Sequence, residues 1–209
     1  MPERERDWEG DAAKLIRARE DGARAAGSAG LRTLSDPRIR KAALDLAWAE
    51  FAPVVDFERS EFDAEVRGTD PALSCAALDG RGRVVGAYLL GAVPPRGVLD
   101  IPGAKRLGAV LLPGRPVLAL CGIALVVTPS ERGSGLGRLL RDHPRRLGAD
   151  LVVGEQAKCL DNLAKWLKVR ELVAETEDSW FTAAALAPDV RISPVPGPDP
   201  APRGPSPGR

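Results

Sequence analysis

The sequence predicts an α+β domain: a mixed sheet with helices on its faces. Three observations carry that expectation. The 209 residues are 44% apolar and 28% charged, the size and proportions of one ordinary domain able to bury a core. Residues 117–127 are apolar throughout except for Gly122, the pattern of a strand buried on both faces. Around that strand, periodicities read in the order helix, helix, hairpin, strand, helix, strand, helix, strand.

At the N-terminus, residues 8–26 are dense in Ala, Arg and Glu, with only Trp8, Leu15 and Ile16 as large apolar groups. A weakly docked helix is expected there, in an extension spanning 1–30 that breaks at Gly27-Ser28-Ala29-Gly30. The domain proper is expected over 31–186. Asp36 before Pro37 is a helix start, with a capping carboxylate and a proline at the first helical position. That helix reaches Phe51, with Arg38, Lys41 and Asp45 on one face and Leu44, Trp48 and Phe51 on another. A short second helix fits 58–66. Two strands, 73–79 and 84–90, are joined by Asp79-Gly80-Arg81-Gly82-Arg83, a glycine-bearing hairpin connection. A long loop, 92–116, carries Pro94, Pro95, Pro102, Pro113 and Pro116. After the apolar strand, a helix spans 134–142 and Pro144 kinks or ends it. A strand at 151–154, a helix at 160–169 and one closing strand at 171–183 complete the domain. Eight of the residues in 188–209 are Pro, so 187–209 reads as a disordered Pro-rich tail.

Composition excludes several classes of function. Thirty basic against twenty-nine acidic residues give a net charge of +1, so no global field points to nucleic acid or a membrane surface as partner. Met1-Pro2-Glu3-Arg4-Glu5-Arg6-Asp7 alternates charge and lacks the apolar stretch of a secretory signal. The apolar run at 117–127 is too short for a membrane helix, which needs about 20 residues. Cys75, Cys121 and Cys159 form no CxxC pair and read as reduced, buried thiols of a cytoplasmic protein. One histidine, His143, leaves no zinc site and reads as solvated in its charged surroundings.

The segment that carries chemistry is Val127-Thr128-Pro129-Ser130-Glu131-Arg132-Gly133-Ser134-Gly135-Leu136-Gly137-Arg138. A buried strand ends, a turn with three glycines follows, and an amphipathic helix begins. Alternate glycines remove the Cβ atoms that would keep a phosphate from backbone N–H groups, and a helix N-terminus offers more such groups. Charge agrees: residues 132–170 hold nine Lys or Arg and four Asp or Glu, net +5, whereas residues 1–70 hold twelve and sixteen, net −4. Gly137 is followed by Arg138-Leu139 and not by Lys-Ser/Thr, so this is no Walker A loop. The GxGxG spacing, five residues beyond the strand, also departs from the dinucleotide fingerprint.

Arg132-x-x-Gly135-x-Gly137 after a strand ending Val127-Thr128-Pro129 closely resembles the coenzyme A signature of the GNAT family of N-acetyltransferases. The element order is similar to that family's plan. The 78–86 hairpin is like its central hairpin, and Asn162-Leu163-Ala164-x-x-Leu167 resembles its Asn-bearing helix, with Ala164 one residue early. The resemblance covers about 31–186 and implies a GNAT-like central mixed sheet flanked by helices in three α/β/α layers. It further implies an enzyme that moves acetyl from acetyl-CoA to a primary amine by direct attack. Backbone N–H groups of Gly133, Ser134, Gly135, Leu136, Gly137 and Arg138 would receive the pyrophosphate, with the Arg132 side chain near it. The pantetheine arm would pair with the strand edge at Leu125, Val126 and Val127. Asn162 would touch the cofactor near its acyl end, and a backbone N–H around Val127 would polarise the acetyl carbonyl.

This sequence departs from the family pattern where the thiolate would be protonated: Trp166 or Leu167 stands in place of the usual Tyr. The central strand carries no acidic base either. The remaining candidates are Tyr88, the sole tyrosine, on the second hairpin strand, and Glu155, just after the 151–154 strand. The plain alternatives are a core aromatic and a solvated turn residue. Cys121, in an apolar strand, reads as an inert hydrophobe. A catalytically inactive acyl-CoA-binding module acting through a protein partner is the second reading. A nucleic-acid-associated role is weaker, because no aromatic residues interleave the basic ones. A monomer or homodimer is expected, with no metal.

Overall fold

A computed structural model describes residues 30–54, 58–93, 110–111, 113–160 and 162–192. Seven strands form one sheet: β1 (Leu31–Thr33), β2 (Cys75–Leu78), β3 (Val84–Val93), β5 (Ala119–Val127), β6 (Leu151–Ala157), β7 (Glu171–Glu175) and β8 (Ser179–Ala185). Their spatial order is β1-β2-β3-β5-β6-β8-β7. Among the described residues only the central β5–β6 pair is parallel. A separate two-stranded ribbon joins β4 (Val110–Leu111) to β9 (Arg191–Ile192).

Helices α1 (Pro37–Phe51) and α2 (Arg59–Glu65) cover one face, packing Ala43, Ala47 and Phe62 on Ala76, Ala87, Leu89 and Val126. Helices α3 (Leu136–Arg141) and α4 (His143–Arg146) cover the other, where Leu140 and Leu147 meet Leu90, Leu120 and Val152. The three α/β/α layers and the mixed sheet are those expected from the sequence. The start of α1 follows the sequence closely: Asp36 Oδ1 accepts from Arg38 N at 2.8 Å. Arg59 ties α1 to α2, reaching Asp45 at 3.2 Å while its guanidinium lies over the Trp48 and Phe62 rings.

Several boundaries differ from expectation for identifiable reasons. The single closing strand at 171–183 is a hairpin of β7 and β8. The run Thr176-Glu177-Asp178 makes the turn, and Thr176 Oγ1 accepts from Ser179 N at 3.1 Å. The expected helix at 160–169 is reduced to α5 (Leu163–Trp166), preceded by the short 3₁₀ turn Lys158–Leu160. Strand β6 continues to Ala157, because pairing with β8 persists to Ala157–Ser179, so Glu155 lies within a strand and not after one. Pro144 does not merely end the preceding helix; it occupies the first turn of α4, where its missing N–H costs nothing.

His143, expected to be solvated, is buried. Its Nε2–H donates to the Leu73 carbonyl at 3.0 Å, and Nδ1 has no partner among the described residues. Of the three thiols expected to be buried, Cys75 is buried, Cys121 is half-buried and Cys159 is exposed. Burial pushes the Cys75 thiol up to about 12, so it stays protonated.

The first strand, β1, has no counterpart in the sequence reading; at three residues it is too short for periodicity to register. The beginning of the expected disordered tail is also structured. Val190 is buried, β9 pairs with β4, and Asp189 forms an ion pair with Arg115 at 2.7 Å. The helix expected at 8–26 and the tail beyond 192 lie outside the described residues, as does most of the 92–116 loop.

Candidate functional site

The sheet splits at its centre. Parallel pairing of β5 with β6 runs only from Ala119–Leu151 to Gly122–Gly154; past that point β6 follows β8 while β5 stays with β3. Ile123 to Val127 therefore present one strand edge with no neighbouring strand among the described residues. The β3–β5 register shifts between Leu89 and Leu90, leaving Ile123 as the extra residue of a bulge at the split.

Which groups point into the split follows from alternation. Thr128 N–H bonds to Val85 O of β3 at 2.9 Å. In an extended strand, neighbouring residues turn their amides to opposite sides, so Leu125 and Val127 face the open edge. Arg132 Nε donates to Val127 O at 3.3 Å from that side, in agreement.

Beyond Val127 the chain passes through the short 3₁₀ turn Pro129–Glu131 into the glycine turn. Gly133 and Gly135 have φ of +84° and +90°, a left-handed backbone that other residues adopt with strain. The N–H groups of Ser134 and Arg138 are taken by Glu131 O and Gly135 O, and that of Leu136 reaches Ser134 Oγ at 3.4 Å. Those of Gly133, Gly135 and Gly137 have no hydrogen bond among the described residues. The expected cradle of consecutive N–H groups is thus thinned to the three glycines.

A cleft of about 640 Å³ follows this path. It gathers Leu125, Val126, Val127, Arg132, Gly133, Gly135, Gly137, Arg138 and Asn162, nine of the eleven residues expected to contact a cofactor. Ser134 and Leu136 stand apart. Ser134 Oγ donates to Glu131 O at 2.7 Å, and Leu136 packs into the core beneath the helix, since consecutive residues of a turn cannot all face one side. Glu50, Arg141 and Lys165 also line the cleft, although the sequence did not single them out as a site, and so does Trp166, one of the two residues expected where a thiolate-protonating Tyr would stand. For Arg141 a signal existed: it sits three residues after Arg138, on the same helix face. The Arg132 guanidinium is paired with Glu50 at the end of α1.

A second cavity, about 330 Å³, adjoins the cleft and shares Phe51, Leu125, Leu160, Asn162 and Trp166 with it. Both sequence candidates for proton transfer, Tyr88 and Glu155, line this cavity. Tyr88 is almost wholly buried, and its hydroxyl accepts from Arg170 Nη2 at 2.7 Å. Burial raises the pKa of that hydroxyl, and the adjacent guanidinium opposes the rise. Glu155 is exposed on β6. Asn162, where cleft and cavity meet, has its Oδ1 buried without a hydrogen-bond partner among the described residues. The Cys121 thiol, raised by burial, is no nucleophile at neutral pH.

No protein-family model and no curated protein matches the sequence. Solved structures do. SsHAT aligns with a TM-score of 0.53 at 20% identity, covering 75% of this chain and 98% of that one. PH1933 from Pyrococcus horikoshii OT3 aligns at 0.51 and 15% identity, covering 74% and 96%. An acetyltransferase of the GNAT family from Staphylococcus aureus Mu50 aligns at 0.49 and 9% identity, covering 75% and 98%. The seven-stranded mixed sheet split at its central parallel pair, helices on both faces, and the likeness to SsHAT give this chain the fold of the GNAT acetyltransferases.

Proposed function

We propose that the chain is an acyl-CoA-dependent N-acetyltransferase, moving acetyl from acetyl-CoA to a primary amine in the cytoplasm. The observation that carries this reading is the continuity of the unpaired β5 edge with the glycine turn. One extended ligand meets amide-pairing groups at Leu125 and Val127 and then free N–H groups at Gly133, Gly135 and Gly137. A pantetheine arm ending in a pyrophosphate has that order of chemistry. Arg138, Arg141 and Lys165 bring positive charge to this cleft, outnumbering the carboxylates of Glu50 and Glu131 that also line it. The orphaned Asn162 Oδ1 calls for a donor at the point where the arm's amide groups would pass.

The thioester then lies beside the bulge, where cleft and cavity meet. The amine attacks the carbonyl carbon, a C–N bond forms, and the C–S bond breaks. A strand-edge N–H near Val127 stabilises the oxyanion, as preorganised donors do. One proton leaves the nitrogen and one reaches sulfur. Glu155, exposed in the cavity, takes the first; Tyr88, kept protonated by burial, supplies the second.

Gly137→Glu tests the cofactor site. Gly137 has an ordinary φ, and a Cβ there meets only Val127 Cγ2 at 3.8 Å, so the variant folds. An acidic side chain in the first helical turn is favourable for the helix yet repels a phosphate. Calorimetric CoA affinity should fall by about 100-fold or more, the loss expected when a like charge replaces an open anion site. Unchanged affinity would remove the reading. Turnover is followed as free thiol released from acetyl-CoA over an amine panel; CoA binding without turnover on any amine would leave a binding module.

A further inference from the structure

We propose that the acceptor is an amino carboxylate, such as a free amino acid, held by Arg170 at the floor of the second cavity. The proposal rests on the acyl-transfer reading and names its substrate class.

Arg170 is only 7% exposed, yet its partners among the described residues are all neutral. Nη2 donates to Tyr88 OH at 2.7 Å, and Nη1 reaches Thr182 Oγ1 at 3.5 Å. Thr182 in turn donates to Gln156 Oε1 at 3.0 Å, and the guanidinium stacks 4.5 Å from the Trp166 ring centroid. Among the described residues no carboxylate forms an ion pair with it. A guanidinium withdrawn from water without a counter-charge is expensive to keep, so structural use alone is a poor account of it.

The sheet makes room for this cation. Gly122 and Gly154 face each other in the last pair of the parallel ladder. A Cβ on Gly122 would come within 2.6 Å of Tyr88 OH, and one on Gly154 would overlap Arg170 Nη1. Two missing side chains therefore clear the base of the split for Tyr88 and Arg170, directly below the expected thioester.

The cavity's other charges are negative. Glu65 of α2 and Glu155 of β6 line it together with Arg170. One buried cation at the floor and two carboxylates on the walls complement a small molecule carrying one carboxylate and one ammonium. Arg170 takes the carboxylate through charge-assisted hydrogen bonds, and the amine is left among acidic groups beside the acyl carbon. A volume of about 330 Å³ suits a ligand of amino-acid size.

The experiment compares two acceptor pools in the thiol-release assay: free α-amino acids, and the same compounds as α-carboxamides. Wild-type kcat/KM should favour the acids by about 30-fold or more, the effect of removing one partner from a buried charge pair. Arg170→Gln should lose activity chiefly through KM for the acids and narrow the ratio between pools; Arg170→Lys should retain part of it. CoA affinity, measured on each variant, reports folding. Equal use of the two pools by the wild-type chain overturns the proposal, as does an equal loss of CoA affinity and acid affinity in Arg170→Gln. A strong preference for succinyl-CoA over acetyl-CoA with the pools equivalent moves the carboxylate to the donor and overturns the amino-acid assignment. If no amine is acylated, the acyl-transfer reading fails separately; titration of the two pools into CoA-loaded protein then decides whether Arg170 binds a carboxylate.

Discussion

Single residues set the chain's response to pH and the shape of its turn. His143 is held neutral: burial lowers its pKa below the usual 6.5, and a proton on Nδ1 would find no acceptor. In the unfolded chain the imidazole keeps its ordinary pKa, so between the two values the unfolded state binds more protons and stability falls with falling pH. The loss begins near pH 6.5 and stops growing below the folded-state pKa, and by pH 5.5 it amounts to at most about 1.4 kcal/mol from this residue. His143→Gln keeps an N–H for the Leu73 carbonyl and removes the titration. Urea midpoints at pH 7.5 and 5.5 should therefore lie closer together in the variant than in the wild type. The glycine turn belongs to the same scale, and most of it is readable from sequence, because positive φ and an open approach are local requirements that name glycine directly. The fate of each N–H is not. Ser134 and Arg138 lose theirs to neighbouring carbonyls, which depends on how the turn closes.

Between elements, the contacts that matter join distant parts of the sequence. Glu50 closes α1 and pairs with Arg132 of the turn, 82 residues later. If Arg132 binds phosphate, as the proposed function has it, it must exchange one anion for another, and the pair then competes with the ligand. An exposed pair of this kind contributes up to about 1 kcal/mol. Glu50→Gln should therefore tighten CoA binding by up to about fivefold at low salt, with the gain shrinking as salt rises. Weaker binding in the variant, read by calorimetry, would show that Glu50 positions Arg132 for the ligand instead of competing for it. The β7–β8 hairpin and the reach of β6 to Ala157 are products of pairing. Residues 171–183 read as one strand because each half is apolar enough, and the polar turn between them is brief. The same pairing carries Glu155 from an expected loop into a strand wall of the cavity.

At the scale of the whole molecule, the C-terminal segment completes a third core cluster. Val190 packs with Val110, Val117, Leu151 and Val173, and Arg115 bridges Asp150 and Asp189. Asp150 also caps the start of the central strand, accepting from Leu118 N at 2.8 Å. The bonded Asp189 holds the Arg115 pKa up and has its own carboxyl pulled below the usual range. Ending the chain after Ala187 removes Val190, Asp189 and β9 together. Burial of one valine is worth about 1.5–3 kcal/mol, and about 1 kcal/mol moves the midpoint of a domain this size by about 2–4 °C. The truncated chain should melt about 3–12 °C lower by calorimetry; an unchanged Tm would mean that the segment packs without stabilising. Its proline content reads as disorder because composition counts residues over a window, while Val190 and Ile192 dock singly.

The sequence by itself determined the fold class, the capped first helix, the central apolar strand and the glycine turn that follows it. Each is written in neighbouring residues, through periodicity, capping or permitted φ, and needs no partner to be recognised. The tertiary structure decided where the sheet splits, which amides remain free, and that Tyr88 meets Arg170 across 82 residues beneath two facing glycines. Those outcomes depend on strand register and burial. A guanidinium among many arginines acquires its meaning only when folding removes it from water with no opposite charge paired to it among the described residues.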